Sequence, residues 1–396
     1  MTARPVLITG VSTRAFAESA TRAGYQVLAV DGFADLDLTA CAAVVVRVRD
    51  TAGRFQAGLA ARVAHELASP AVSYVASFEN HPRAVQALAR DRTLWGNSPA
   101  VLARVRNPVR LARALARRGY PVPKVRTTRP AQTTGTRWLV KPRASGGGHG
   151  IVPWRPRANG RVPPRAYFQE RIAGIPGSIV FAADGRRAVA LGFSRLLVGE
   201  RAFGAEGEGK GGAFRYCGNI LAGAHDPQFS CEAALLAWGV ELAAAVTQIF
   251  GLVGVNGVDF IARSGRPYPV EVNPRYTASM ELVERAYGLS VFDIHARACA
   301  GDLPSFELFR ARAASREAVG KAVVYARRDT TVGDTRRWLG DDTVRDIPAP
   351  GEHILRGHPV CTVFARARDA AACHRALVTR AAAVYRAIAS RTGRVA

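Results

Sequence analysis

Lysine is almost missing from this chain: four lysines, at positions 124, 141, 210 and 321, stand beside 51 arginines, so a formal charge of +24 rests on guanidinium groups. The arginines are spread along an alanine-rich sequence without interleaved aromatics. That is the imprint of a GC-rich genome rather than a nucleic-acid patch, and it leaves a polyanionic small substrate as the better use of the charge. No two of the six cysteines form a C-x-x-C pair, which argues against a zinc site or disulfide framework and predicts reduced, buried thiols. No uninterrupted apolar run reaches the roughly 18 residues of a membrane span, and Val6 to Thr9 is too short for a signal-peptide core, so a cytoplasmic protein without membrane contact is expected. The first glycine-containing turn, G-V-S-T-R, lacks G-x-G-x-x-G spacing and gives no dinucleotide fingerprint. Repeats, low-complexity tracts and an attached carrier domain are also absent from the pattern.

What is there is ordinary globular material: 48% hydrophobic and 22% charged residues over 396 positions, enough for two or three domains. Pro5 to Thr9, Ala15 to Ala23 and Gln26 to Val30 read as strand, helix and strand. They open a Rossmann-like α/β domain that reaches about residue 97, with further strands over Ala43 to Val48 and Ala71 to Ala76. Ligands of open parallel sheets lie at the carboxyl ends of strands, which points to Ser12, Arg14 and Asp31 as substrate neighbours. A solvated Arg14 and a helix-capping Ser12 fit the same residues.

The densest chemistry lies between Gly254 and Glu284. Val253 to Ala262 and Tyr268 to Val272 read as two buried strands around the turn Arg263 to Pro267. Asp259 interrupts the first, and Glu271 and Asn273, two residues apart on one face, interrupt the second. Two carboxylates and an amide oxygen on one sheet face make a hard-oxygen site for Mg²⁺ carrying nucleotide phosphates, with Arg275 able to reach an anion held there. Upstream, the strand Trp138 to Lys141 runs into Ser145 to Gly150, where Gly146, Gly147 and Gly148 can let backbone N–H groups wrap phosphate oxygens. Gly199 to Asn219 is a Gly-rich loop in which Lys210, Arg215 and Tyr216 either touch phosphate or substrate or merely close the loop. Amphipathic helices are predicted over 107–119 and from about Cys231 to Phe250, the latter beneath the hairpin. A continuous helix is expected over Met280 to Cys299, then strands at Lys321 to Tyr325 and Val360 to Ala365 and a helix from about Ala370.

The order of strand, lysine, Gly-rich flap and D-F-I…E-V-N-P-R hairpin resembles the ATP-grasp superfamily, in its biotin-carboxylase-related "ATP-dependent carboligase" branch. The segments LITGVSTRAFAESATRAGYQVLAVDGFADLD, YVASFENHP, LWGNSP, DIPAPG and GHPVCTVFARA further resemble ATP-grasp proteins of tetrahydromethanopterin and methylofuran biosynthesis in one-carbon-metabolising bacteria. The resemblance implies an α/β ATP-grasp fold: a Rossmann-like domain over 1–97, a two-lobed ATP-binding module over 98–304 and a small α/β tail over 305–396. It implies ATP and Mg²⁺ as cofactors, with Lys141 on the α- and β-phosphates, the backbone of Gly146 to Gly148 over the γ-phosphate, Ser145 also on ATP, and Asp259, Glu271 and Asn273 on the metal. Arg275 would act on the transferring group. The adenine hinge would be Gln169, Glu170 and Ile172, where Gln169 replaces the usual Glu, and Ser178 would stand in for a missing ribose acid. An Asp followed by Lys or Arg before the module is replaced by Asn107-Pro108, leaving Arg106 or Arg110 to supply the charge.

The implied reaction is ATP-driven joining of a small carboxylate to an amine through an acylphosphate, for example glutamate to a C1-carrier precursor, by a chain that could form a homodimer. A biotin-carboxylase-like carboxylation is the alternative, although the position of that family's bicarbonate base is Ser279 here, with Glu281 displaced by two. A basic nucleic-acid-binding protein and a non-catalytic ATP sensor are the readings outside enzymology.

Overall fold

The computed structural model describes residues 4–51, 53–130, 136–155, 162, 164–206 and 213–389. The chain begins with β1 (Arg4–Gly10), α1 (Arg14–Arg22), β2 (Tyr25–Asp31), α2 (Leu36–Cys41), β3 (Val44–Arg47), α3 (Ala57–Ala64), β4 (Ala71–Tyr74), α4 (Pro82–Leu88) and β5 (Thr93–Trp95). The five strands form a parallel sheet of order β3-β2-β1-β4-β5. β1 is apolar on both faces because both are covered. Val6 and Ile8 pack with Phe16 of α1 and with residues from the second half of the chain, and Leu7 packs with Val30, Val72 and the alanines of α3.

Two short helices, α5 (Pro99–Val105) and α6 (Pro108–Ala116), lead out of this sheet. Asn107 caps α6, its Oδ1 accepting from Val109 N at 3.1 Å and Arg110 N at 3.2 Å, with Pro108 at the first helical position. A small sheet follows, made of β6 (Val125–Arg126), β7 (Trp138–Pro142), β8 (Val152–Pro153) and β9 (Ala166–Glu170), in the order β6-β9-β7-β8.

The largest sheet starts with β10 (Ile175–Asp184), β11 (Ala188–Val198) and β12 (Tyr216–Leu221). After α7 (Glu232–Phe250) it continues with the hairpin β13 (Val253–Arg263) and β14 (Arg266–Asn273). Arg263 pairs with Arg266, so the turn is two residues, not five. Ser264 and Gly265 both take left-handed φ values, +51° and +71°, as a tight hairpin turn that follows strand twist requires. α7 is long and apolar enough to cross a membrane by length and composition, although Glu241 and Gln248 interrupt its apolar run. Here its Leu235, Leu242 and Val246 are buried with Val258, Phe260 and Val272 of the hairpin.

The helix expected over Met280 to Cys299 is two helices, α8 (Met280–Tyr287) and α9 (Val291–Cys299). Gly288 turns left-handed at φ +68° and ends the first. Glu284 Oε1 then accepts from Val291 N at 2.8 Å and holds the start of the second. After α10 (Leu308–Ala314) come β15 (Ala318–Tyr325), β16 (Thr330–Thr331), β17 (Val344–Arg345), β18 (His353–Ile354), β19 (Pro359–Ala367) and α11 (Ala370–Ala389). β15, β19 and β17 complete the large sheet, whose order is β14-β13-β10-β11-β12-β15-β19-β17, and α11 buries Cys373, Leu377 and Ala381 against it.

Candidate active site

One cavity of ≈ 610 Å³ runs along the face of the large sheet, between that sheet, the flap of the small sheet and the carboxyl ends of β1 and β4. A row of polar side chains crosses its floor strand by strand. Glu271 pairs with Asp259, Asp259 with Ser178, Ser178 with Ser194, and Asn219 with Lys321. Asn219 Nδ2 donates to Ser194 Oγ at 3.0 Å, which closes the gap between β11 and β12. Except for Ser194, these polar residues line the cavity, while the opposite face of each strand carries core residues, as the two-residue side-chain period dictates.

At one end Asp259, Glu271 and Asn273 border the cavity together. Asn273 Nδ2 donates to Asp259 Oδ2 at 2.9 Å. Burial and the adjacent Glu271 charge push the Asp259 acid up to about 6. Glu271 shares that burial, but Arg106 and then Lys141 hold it below the usual carboxylate range. Arg106 Nη1 donates to Glu271 Oε1, and its other nitrogen donates to Asn80 Oδ1 at 2.8 Å. A carboxylate kept protonation-prone by a like-charged neighbour, an amide oxygen beside it and the Ser178 hydroxyl opposite form a hard-oxygen set that suits a divalent cation. The residues present therefore fit Mg²⁺.

Lys141, on β7 and buried, donates from Nζ to Gln169 Oε1 at 3.0 Å, and Gln169 Nε2 donates to Val270 O at 3.3 Å. This bridge ties the small sheet to the hairpin across the cleft. Ser145, Gly146 and Gly148 border a smaller pocket of ≈ 40 Å³ beside Arg106, and Gly147 and Gly148 border the main cavity as well. Gly147, at φ +60°, accepts through its carbonyl from Tyr216 N at 3.0 Å. At Gly148, φ +77°, a Cβ would lie 1.8 Å from Phe214 O, so only glycine lets the flap rest on the turn that leads into β12.

Arg275 is fixed from three sides: Nη2 pairs with Glu79 Oε1 at 2.8 Å, Nη1 donates to Tyr276 O at 2.9 Å, and Nη2 approaches Asn273 Oδ1 at 3.4 Å. Its Nε has no partner. Glu79 is itself buried, in a single 3₁₀ turn (Phe78–Asn80) after β4. Neither Glu79 nor Asn80 is singled out by the sequence reading, because isolated polar residues in a loop carry no periodic signal. Their segment YVASFENHP held the only hint.

Other expected site residues fall as follows. Ile172 and Glu170 border the cavity, although Glu170 Oε2 also accepts from Lys124 N at 3.1 Å. Ser178 sits opposite Asp259, at the metal end. Arg110 is exposed and is not among the cavity-lining residues, whereas Arg106 reaches Glu271. Arg215 turns away to stack over Tyr325, 5.1 Å from the ring centroid, and donates to Gly357 O at 3.1 Å. Tyr216 lines the cavity and donates to Asn219 Oδ1. Lys210 lies outside the described residues.

The far end of the cavity is formed by Ser12 from the loop after β1 and Arg14 at the start of α1, by Thr277 to Ser279, and by Lys321, Asp346 and Thr362. Ser12 is exposed there, but Arg14 is not a free ligand. It is 1% exposed and meets Glu281 at 2.5 Å, Asp346 at 2.9 Å, Glu18 at 3.2 Å and Asp37 at 3.5 Å. Lys321 Nζ donates to the other Glu281 oxygen at 2.5 Å, and the two cations hold that carboxylate far below its usual range despite its burial. Asp31 is a local clamp rather than a ligand. Its carboxylate accepts from Thr13 N and Oγ1 and from Phe33 and Ala34 N, at 2.6 to 2.8 Å.

Residues 105–279 match the ATP-grasp domain family. Among curated proteins, an uncharacterised protein of Methanocaldococcus jannaschii is 24% identical over 127 residues, a stretch that covers 32% of this chain and 30% of that protein. Among solved structures, the L-amino acid ligase of Bacillus licheniformis is 17% identical with a TM-score of 0.67, covering 97% of this chain and 98% of that one. The biotin carboxylase domain dimer of Hydrogenobacter thermophilus 2-oxoglutarate carboxylase, in complex with MgADP, ADP and bicarbonate, is 14% identical with a TM-score of 0.68 over 95% and 88%. Rhizobium etli pyruvate carboxylase is 15% identical with a TM-score of 0.70, over 96% of this chain and 37% of that one. These likenesses show that the chain has the mixed α/β ATP-grasp fold.

Proposed function

We propose that the protein is an ATP-dependent ligase that activates a carboxylate as an acylphosphate and transfers the acyl group to an amine. The observation that carries this reading is one continuous cavity, which joins a phosphate-and-metal end at Lys141, Asp259, Glu271 and Asn273 to a separate, charged acceptor end. Asp259, Glu271 and Asn273 would hold Mg²⁺, which when bound neutralises charge on the β- and γ-phosphates. A carboxylate oxygen of the acid attacks the γ-phosphorus and ADP leaves with the bridging oxygen. The amine lone pair then attacks the acyl carbon, phosphate departs with the bonding pair, and the nitrogen gives up a proton. Arg275, held rigid by Glu79, donates to the oxyanion that develops in both steps, an electrostatic contribution that costs no rearrangement. Gln169 keeps Lys141 extended toward the phosphates.

Carboxylation is less well served. The position four residues after Arg275 is Ser279, and Glu281 is committed to Arg14 and Lys321 with its charge strongly stabilised, which makes it a poor base for bicarbonate. On this reading residues 98–304 would supply the nucleotide end and the flanking parts most of the acceptor end, with one sheet running across residue 304. The resemblance to proteins of tetrahydromethanopterin and methylofuran synthesis makes a C1-carrier precursor and an amino acid such as glutamate the first pair to test. A cytoplasmic homodimer is the assembly this reading adopts. ADP release from MgATP is expected only when an acid and an amine are both present, with the condensed product seen by mass. ADP release driven by bicarbonate without an amine would overturn the ligase reading in favour of carboxylation.

A further inference from the structure

The acceptor end is a dense cluster of ion pairs. Arg14, Lys321 and Arg345 meet Glu18, Asp37, Glu281 and Asp346, with Arg285 close by. Burial together with Asp346 and Asp31 pushes the Asp35 acid well up, and Asp37 rises to about 6, as expected for carboxylates buried beside one another. Most of these groups are closed off. Side-chain exposure is 1% at Arg14, 4% at Lys321, 5% at Glu281 and 7% at Asp37, but 24% at Asp346.

Asp346 also borders the cavity. Its backbone is left-handed at φ +56°, an unfavourable conformation for a residue with a side chain. It is pinned by Asp346 N and Ile347 N donating to the two oxygens of Asp37 at 2.8 and 2.9 Å. The carboxylate accepts one bond on each oxygen, from Arg14 Nε at 2.9 Å and Thr362 Oγ1 at 2.5 Å. One acceptor position per oxygen remains, since an ionised carboxylate offers about four.

We propose that Asp346 receives a protonated nitrogen of the acceptor substrate, which makes that substrate a compound with a cationic amine remote from its reacting atom. The remoteness follows from topology: Asp259 is on β13, Asp346 follows β17, and five strands of the sheet lie between those two. The identification of the bound compound as acceptor rests on the ligase reading, but the binding itself does not.

The test is calorimetric titration of the full chain, with magnesium and a non-hydrolysable ATP analogue present, using lysine, 1,4-diaminobutane and 1,6-diaminohexane, each beside its mono-N-acetyl counterpart. Wild type is expected to bind at least one diamino compound about tenfold or more tightly than its acetylated partner, and Asp346→Asn to lose that preference. Asparagine tolerates left-handed backbone. Asp346→Gly, which suits the same φ, serves as the second variant if the first melts early, and the nucleotide affinity of both should match wild type. Failure of all three amines to bind wild type, equal binding of acetylated forms, or an unchanged preference in both variants would each overturn the proposal. Amine binding that depends on Asp346 without ADP release for any added carboxylic acid would leave it standing and sink the ligase reading instead.

Discussion

Glu271 bridges two roles, since it borders the metal end and also accepts from Arg106. Arg106 has further acceptors in Asn80 Oδ1 and Val272 O. Glu271→Gln should therefore melt close to wild type while ADP release falls by orders of magnitude and the Mg²⁺ requirement rises, each 1.36 kcal/mol of lost charge stabilisation being about a factor of ten. A variant that melts several degrees lower with an unaltered Mg²⁺ response would mean that the ion pair is the residue's whole purpose. Asp259 gives a pH signature. Its acid is near 6 when folded against about 3.9 unfolded, so between those values the folded chain holds a proton that the unfolded chain has lost. Its contribution to stability is consequently greatest below about pH 4 and falls as pH rises to 6. Asp259→Asn should flatten that part of the melting-temperature profile, and comparison with wild type separates it from Asp37, which shares the range. Because a cation needs the ionised form, Mg²⁺-dependent stabilisation with ATP should fade in wild type as pH drops through 6 and be lost in the variant. The residues that escaped the sequence reading, Glu79, Asn80 and Asp346, are isolated polar positions in loops. Their meaning comes from partners such as Arg275, Arg106 and Arg14, the last 332 residues from Asp346 in the chain.

Elements were legible where a period was clean. The βαβ opening and the hairpin appear within a residue or two of their expected ends, because buried strands between covered faces read as apolar runs. β12 was hidden inside the stretch read as a loop. Its Tyr216, Gly218 and Asn219 are polar or small because they face the cavity or a neighbouring backbone: a Cβ on Gly218 would lie 2.1 Å from Lys321 O. The break between α8 and α9 was missed because Leu289 continues the apolar spacing across Gly288. The flap is the element on which a single methyl should tell most. In Gly148→Ala the new Cβ overlaps Phe214 O and the φ of +77° is unfavourable. The flap should no longer seat on residues 213–216, weakening ATP binding while the melting temperature stays near wild type. An alanine variant with unchanged ATP affinity would show that this seat plays no part in holding nucleotide.

On the scale of the molecule, Arg14 joins parts distant in sequence: the start of α1, α8 through Glu281 and the end of β17 through Asp346. Replacing it with methionine strands those carboxylates in a buried setting, and the loss for a broken buried pair is about 3 to 5 kcal/mol. Chemical denaturation should show that loss for Arg14→Met, and a change under about 1 kcal/mol would mean that the carboxylates find other partners or protons. The sequence reading placed Arg14 beside a substrate because the ends of parallel strands bind ligands. Arg14 does border the cavity, but its guanidinium is not free, since enclosure by four carboxylates is a tertiary event.

The polar row on the large sheet has one more consequence. Asp259 and Lys321 stand on β13 and β15 with β10, β11 and β12 between them, and neighbouring strands are about 4.8 Å apart, so four steps make about 19 Å along the sheet. That span is cut into the backbone hydrogen bonds like the marks on a gauge. Side-chain changes along the row can alter what is held at either mark, but the reach a ligand must have to touch both is set by strand count, and only gaining or losing a strand would reset it.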